Sequence, residues 1–294
     1  MSHQVRNGKA FEFAISRQIG KITETKIVDN SALNKASHYY HSINDTALLD
    51  RIDRAADELA VFLQYHDKRL DNAASIRLQP DNKGTIGDVR DIVIEINDDE
   101  VGISAKHNHD AIKHPRLSDT IDFGKQWGAC PVSNQYWKAV KPIFEDMRNN
   151  KGHLFRDVRN KQDIYYLPIL AAFEDELRRI CEDYPRQFIW HFFQYLIGTK
   201  DHYKAICEKD RVLVSSVNLH GTLEWGKKWK MPERIEHIRR KSLTKSTLIV
   251  TFEGGWQLSF RLHNASSKIQ PSLKFDIQFI GMSKNVAKHE IILV

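Results

Sequence analysis

Apolar positions recur at helical spacing through the first quarter of the chain. Phe11, Ala14, Ile15 and Ile19 form one stripe, with Asn7 placed to cap the helix that carries it. Leu48, Ile52, Ala55, Leu59 and Leu63 form another after Asn44-Asp45, and a further helical stretch covers residues 31–43. The period then changes. Ser75-Ile76-Arg77-Leu78 alternates like an edge strand. Ile92, Ile94, Ile96, Val101, Ile103 and Ala105 alternate with Asp91, Glu95, Ser104 and Lys106, which predicts two strands with one apolar and one polar face. A tight turn at Asn97-Asp98-Asp99 joins them; with a two-residue loop at Asp98-Asp99, Asp91 faces Lys106 and Val93 faces Ser104. Ser118 is placed to cap a helix over residues 119–127. Helical segments at 132–148, 165–182 and 188–197 carry the apolar content of a packed layer. After Asp210 the texture is that of strands, at 212–214, 248–252, 256–262, 273–280 and 290–294, with Gly254-Gly255 as a hairpin turn. The pattern predicts an α/β front with a helical insertion over residues 1–210. A β-rich region over 211–294 follows, either separate or packed onto the front sheet.

At 294 residues and 41% hydrophobic content the chain can bury one large core or two modest ones. No stretch approaches the roughly 18–20 apolar residues of a membrane span, and charges interrupt the first twenty residues, so a membrane or secretory role is not expected and cytoplasmic residence is. Cys130, Cys181 and Cys207 are widely spaced and odd in number, which argues against a zinc ribbon or a disulfide framework. The net charge of +6 is unevenly spread. Between residues 226 and 245, Lys227, Lys228, Lys230, Arg234, Arg239, Arg240, Lys241 and Lys245 outweigh Glu233 and Glu236. Such an excess suits a polyanion, because neutralising phosphates releases counterions; a solvated basic helix is the alternative.

The polar face of the central hairpin carries candidate chemistry. Hydrolysis of a phosphodiester needs a hard cation, which takes oxygen ligands, and positive charge near the phosphate. Asp91 is the candidate ligand, and Lys106 the candidate cation beside the attacked phosphate, its pKa open to lowering by desolvation. An ordinary surface Asp–Lys pair is the alternative, worth under about 1 kcal/mol. Two features favour the catalytic reading. The segment after Lys106 is dense in groups that bond to phosphates or base edges, among them His107, Asn108, His109, Lys113 and Arg116. Glu12 also places one acid on an otherwise apolar helical face, where a lone buried carboxylate is costly unless paired or metal-bound; an exposed Glu12 beside Lys9 or Ser16 is the alternative. His107-Asn108-His109 does not make an HNH nuclease motif, whose residues are spread over a strand, a loop and a helix. Near the C-terminus, Phe260-Arg261-Leu262-His263-Asn264 alternates as a strand. Arg261, His263, Asn264, Ser266, Lys268 and Lys274 are candidate DNA contacts, an exposed edge strand with solvated charges being the alternative.

Asp91…Ser104-Ala105-Lys106, with Glu12 on the first helix, resembles the PD-(D/E)XK nuclease core. The run from Gly87-Asp88-Val89-Arg90-Asp91 through Lys106-His107-Asn108-His109-Asp110-Ala111-Ile112-Lys113-His114 to Ile121-Asp122-Phe123-Gly124 resembles the HaeIII-type restriction endonucleases. So does the run Phe260-Arg261-Leu262-His263-Asn264-Ala265-Ser266-Ser267 with Pro271-Ser272-Leu273-Lys274-Phe275-Asp276. The resemblance implies a mixed sheet flanked by helices and a type II restriction endonuclease that cuts double-stranded DNA with Mg²⁺. It implies cleavage in the middle of GGCC, leaving 5′-phosphate and 3′-hydroxyl ends. It makes Asp91 the metal-binding acid, Lys106 the catalytic lysine and Asp88 a nearby second acid. The usual acid two positions before the lysine is here Ser104, a poorer metal ligand. Glu12 is the first candidate to replace it, with Asp119 or Asp122 on the following helix in reserve and Glu95 as a further choice. A palindromic target favours a two-fold homodimer, although a monomer could nick each strand in turn. A non-catalytic binder of double-stranded DNA and a metal-dependent nuclease of broader or RNA specificity are the competing classes.

Overall fold

The computed structural model describes residues 3–80, 87–108, 112–241 and 245–293. Its helices are α1 (His3–Ile22), α2 (Ser31–His41), α3 (Thr46–His66), α4 (Phe123–Gly128), α5 (Asn134–Asn149), α6 (Leu167–Asp183) and α7 (Pro185–Ile197). Its strands are β1 (Ser75–Leu78), β2 (Ile92–Ile96), β3 (Asp99–His107), β4 (Arg116–Leu117), β5 (His202–Cys207) and β6 (Arg211–Val217). They continue with β7 (Ile235–Arg240), β8 (Thr247–Phe252), β9 (Trp256–Asn264), β10 (Leu273–Gly281) and β11 (Lys288–Ile292). They form two sheets, ordered β1-β2-β3-β5-β6-β11 and β4-β10-β9-β8-β7. The mixed α/β class and the β-rich C-terminus expected from the sequence are both present. Among the described residues no helix is long and apolar enough to cross a membrane.

The chain divides into two compact units, each assembled from separate segments. The first comprises residues 1–110, 198–230 and 284–294. Here α1 packs on α2, α3 and the sheet, and Phe11, Ile15, Ile52, Leu59, Ile94, Ile103 and Tyr203 share one core. Strand β3 runs parallel to β5, whereas the other neighbours in this sheet are antiparallel. Side chains of Asn30 and Asp45 cap α2 and α3 by accepting from the Leu33 and Leu48 amides. Asn7 does not cap α1; the helix already begins at His3 and Asn7 lies inside it.

The hairpin register differs from the expected one by two positions. Ile92 pairs with Ile103, Val93 with Gly102 and Ile96 with Asp99, so the loop is Asn97-Asp98 rather than Asp98-Asp99. Asn97 takes a positive φ of 52°, which asparagine tolerates better than most residues, and this fixes the turn there. Asp91 therefore aligns with Ser104, its amide donating to the Ile103 carbonyl at 2.8 Å. A shift of two leaves the faces unchanged, because side chains alternate with a period of two.

The second unit comprises residues 111–197 and 231–283, in which helices α4–α7 accompany the antiparallel sheet. Its core is aromatic: Phe173 meets Phe275 at 4.8 Å between ring centroids, Phe193 meets Phe252 at 5.2 Å and Phe192 stacks on Phe260 at 5.9 Å. This shared core joins the helical insertion to strands β7–β10. Strands β6 and β11 complete the first sheet instead, so the compact units do not follow a break at residue 210. The basic stretch at 226–245 contains strand β7, not a helix. Ser118 caps no helix; Asp122 caps α4, accepting from the Lys125 amide at 2.8 Å.

Candidate active site

Strand β3 is buried for most of its length and reaches polar surroundings at Ser104 and Lys106. Just before β2, Asp91 turns its carboxylate back across this end. Its Oδ2 accepts from the Ala105 amide at 2.8 Å, the Lys106 Nζ at 3.0 Å and the Ser104 Oγ at 3.2 Å. Asp91, Ser104 and Lys106 are thus brought together as the alternation predicted. Burial pulls the Lys106 pKa down, but attraction to Asp91, their hydrogen bond and the nearby Glu12 charge outweigh it, and the net shift is upward. The expected lowering by desolvation does not occur.

Glu12 projects from α1 and is 4% exposed, which settles the choice between a buried and a surface glutamate. Its carboxylate receives Lys9 Nζ at 2.9 Å, one turn earlier on the same helix. Burial and the repulsion of Asp91 push its pKa up to about 8, against the opposing pull of Lys9 and Lys106. The mutual influence of Glu12, Asp91 and Lys106 makes them electrostatic neighbours. Lys9 is the member that sequence reading missed as a functional candidate; its i,i+3 spacing to Glu12 was the available signal.

Other acids are engaged elsewhere. Asp88 forms a two-pronged ion pair with Arg90, both contacts at 2.8 Å, and accepts from Gln79 at 3.0 Å. Burial raises its pKa, but these bonds outweigh it and hold the carboxyl down at about 2. Arg90 is itself buried and also meets Glu100 at 2.8 Å. A Cβ on Gly102 would lie 2.1 Å from the Arg90 Cδ, so the glycine makes room for that side chain. Glu95 accepts from Ser75 at 2.6 Å and pairs with Arg77, and its pKa is lowered, chiefly by the Ser75 bond. In the second unit, Asp119 pairs with Arg148, and Asp122 is the α4 cap that also accepts from the Val132 amide. Among the described residues, no group of three or more His, Cys, Asp or Glu side chains gathers as a ready-made metal cage.

The candidate DNA contacts fall into several settings. His107 is buried, its Nε2 without a hydrogen-bond partner, and burial lowers its pKa. Asn108 is exposed, while His109 lies outside the described residues. Lys113 donates to the Tyr195 carbonyl in the last turn of α7 at 2.6 Å and sits 3.8 Å from that residue's ring centroid; burial lowers its pKa to about 8. Arg116, Arg261, His263 and Lys274 occupy outward positions of the second sheet, with Lys274 aligned to both Arg116 and His263. Asn264 meets the Tyr166 hydroxyl at 3.4 Å and donates to the Ser266 carbonyl, and the Ser266 hydroxyl donates to the Lys268 carbonyl at 2.6 Å. Those three residues build a turn.

A sequence model described as the HaeIII restriction endonuclease matches residues 8–283. The chain belongs to the HaeIII restriction endonuclease family. It is 36% identical to the type II restriction enzyme HaeIII of Haemophilus aegyptius over an alignment of 304 residues, covering 95% of each protein. No solved structure matches it. Family membership makes the chain a site-specific deoxyribonuclease, and the Asp91–Ser104–Lys106 constellation lies within the matched region.

Proposed function

We propose that this restriction endonuclease hydrolyses double-stranded DNA at GGCC with Mg²⁺, leaving 5′-phosphate and 3′-hydroxyl ends. Asp91, Lys106 and Glu12 form its cleavage centre. The convergence of Lys106 and Ser104 on one oxygen of Asp91, beside the buried Glu12, carries the reading. The donor set fits a hard divalent cation. Two carboxylates that repel each other offer oxygen ligands, and all three bonds to Asp91 described above go to Oδ2, leaving Oδ1 in position to ligate. Once bound, such a cation polarises the phosphoryl oxygens and acidifies a water.

The protein's own groups do the rest. Asp91 holds the Lys106 ammonium at 3.0 Å, where it can bind a phosphate oxygen or orient the attacking water. Ser104 fixes the Asp91 carboxylate rather than replacing the missing acid, and Glu12 supplies the second carboxylate. Asp119 and Asp122 are not needed, their oxygens being used locally. Arg116, Arg261, His263 and Lys274 contact the duplex, with two copies of the chain serving the two half-sites of a palindrome.

Digestion of one plasmid with and without Mg²⁺, followed by sequencing of the fragment ends, tests the reading. GGCC at every cut and 5′-phosphate ends only when Mg²⁺ is present are expected. Scattered ends, or equal cutting in chelator, would overturn it.

A further inference from the structure

The outward positions of β8, β9 and β10 carry one acid, Asp276, among hydroxyl, amide, imidazole and cationic groups and the apolar Ile249. It is directly cross-strand from Arg261 on the central strand β9. The Arg261 Nη2 donates to its Oδ2 at 2.8 Å. The two partners are unequal: the Arg261 side chain is 59% exposed and that of Asp276 only 11%. The other oxygen, Oδ1, is buried and receives no hydrogen bond, and His114 Nδ1 stands 3.7 Å from it.

An ion pair whose cation stays largely in solvent is worth little, and a buried carboxylate oxygen without a donor costs stability. Fold stability alone therefore gives no reason for an acid here. What the arrangement does provide is aim. One edge of the guanidinium is tied down by a nearly immobile carboxylate, while the rest of the fork stays open to solvent. A fork held in that way matches the O6 and N7 acceptors that guanine presents in the major groove. The face around it is positive, with Arg116 and Lys274 beyond His263 on the neighbouring strands, as a nucleic-acid surface requires.

We propose that Arg261 reads a guanine of the target through O6 and N7, and that Asp276 is the residue that positions it. The proposal rests on the endonuclease reading above and adds which side chain discriminates and how it is held. Asp276 is too buried to touch a base and acts through Arg261. Its charge opposes DNA in general while its hydrogen bond favours the correct sequence, so specific and non-specific binding respond to it with opposite sign.

The test uses the full-length protein and a short duplex carrying the sequence at which the wild-type protein is found to cut. A second duplex has 7-deazaguanine replacing each guanine of the site in turn, and a third is of random sequence. For wild type, one 7-deaza position should weaken binding about tenfold or more, within the range of a bidentate base contact. Arg261→Ala should lose a similar factor on the natural site and become insensitive to that same 7-deaza position. Asp276→Asn should weaken binding to the natural site about tenfold yet bind the random duplex as well as wild type or better. Equal 7-deaza sensitivity in wild type and Arg261→Ala overturns the proposal, as does an Asp276→Asn effect of the same sign and size on both duplexes. If Asp276→Asn does not fold, the exposed Arg261→Ala still decides the guanine contact, and Arg261→Lys, which keeps the charge but loses the fork, decides the aim. Arg261→Lys should match Arg261→Ala on the natural site; wild-type affinity would overturn the proposal. Site-specific cutting by wild type combined with any of the overturning results leaves the endonuclease reading standing. An absence of site-specific cutting removes that reading instead.

Discussion

Lys106 and Asp91 lie 3.0 Å apart, and each should fail in its own way when removed. Lys106→Ala should lower the cleavage rate by about 10²–10³-fold, the effect of deleting one positioned charge donor, with duplex affinity nearly unchanged. Asp91→Ala should abolish Mg²⁺-dependent cleavage. Single-turnover cleavage and gel-shift binding read the two quantities separately, and parallel losses of both would move the chemistry elsewhere. Asp88 belongs to a different class of acid. Its folded pKa of about 2 lies below the ordinary aspartate value of about 3.9, so its contribution to stability is fully present above about pH 4 and is lost as pH falls through 2. The size is on the order of 2 kcal/mol. Asp88→Asn should lower unfolding free energy at pH 7 by about that amount and flatten the acid limb, as read by urea titrations between pH 2 and 7. At this scale the sequence was informative for Asp91, Ser104 and Lys106, because alternation alone put them on one face. It was uninformative for Asp88. An Asp two residues before an Arg gives no sign that the pair will close into a buried fork over a glycine on the next strand.

At the scale of elements, the hairpin shows what pattern can and cannot fix. Its faces were legible, but its loop was not, because Asn97, Asp98 and Asp99 are all turn formers and a slip of two conserves every face. The structure places positive φ at Asn97, a conformation that glycine adopts without cost. Asn97→Gly should therefore leave activity intact and change stability by no more than about 1 kcal/mol, in the stabilising direction. Thermal unfolding checks this, and a large destabilisation would argue for the other loop. Strand β5 escaped the sequence reading altogether. It is short, and its alternation is blurred because five of its six residues are buried, so that positions on both faces of the sheet are covered. The helices were easier, since their stripes extend over several turns, although the starts of α1 and α4 were displaced from Asn7 and Ser118.

At the scale of the molecule, the sequence showed the order of textures but not which segments share a core. Aromatic side chains spread over 123–197 and 252–279 read as separate layers until their rings are seen in contact. Strand β11 shows the reverse relation: it follows the second unit in the chain and completes the edge of the first sheet beside β6. Removal of residues 284–294 should take away the cover that Ile291 provides, cost about 2 kcal/mol or more, and lower the melting midpoint by several degrees. Calorimetry of the truncated protein checks this, and an unchanged midpoint would mean that β11 is dispensable.

The thread of the polypeptide passes between the two units at four seams, near residues 110, 197, 230 and 283. No single cut therefore releases a half that holds all of its own strands. Transplanting the five-stranded sheet into a cousin would require two inserts stitched in register, with every seam intact. Exchange of individual side chains on a fixed backbone is thus far more accessible than the shuffling of cassettes, and the two units are inherited as one piece.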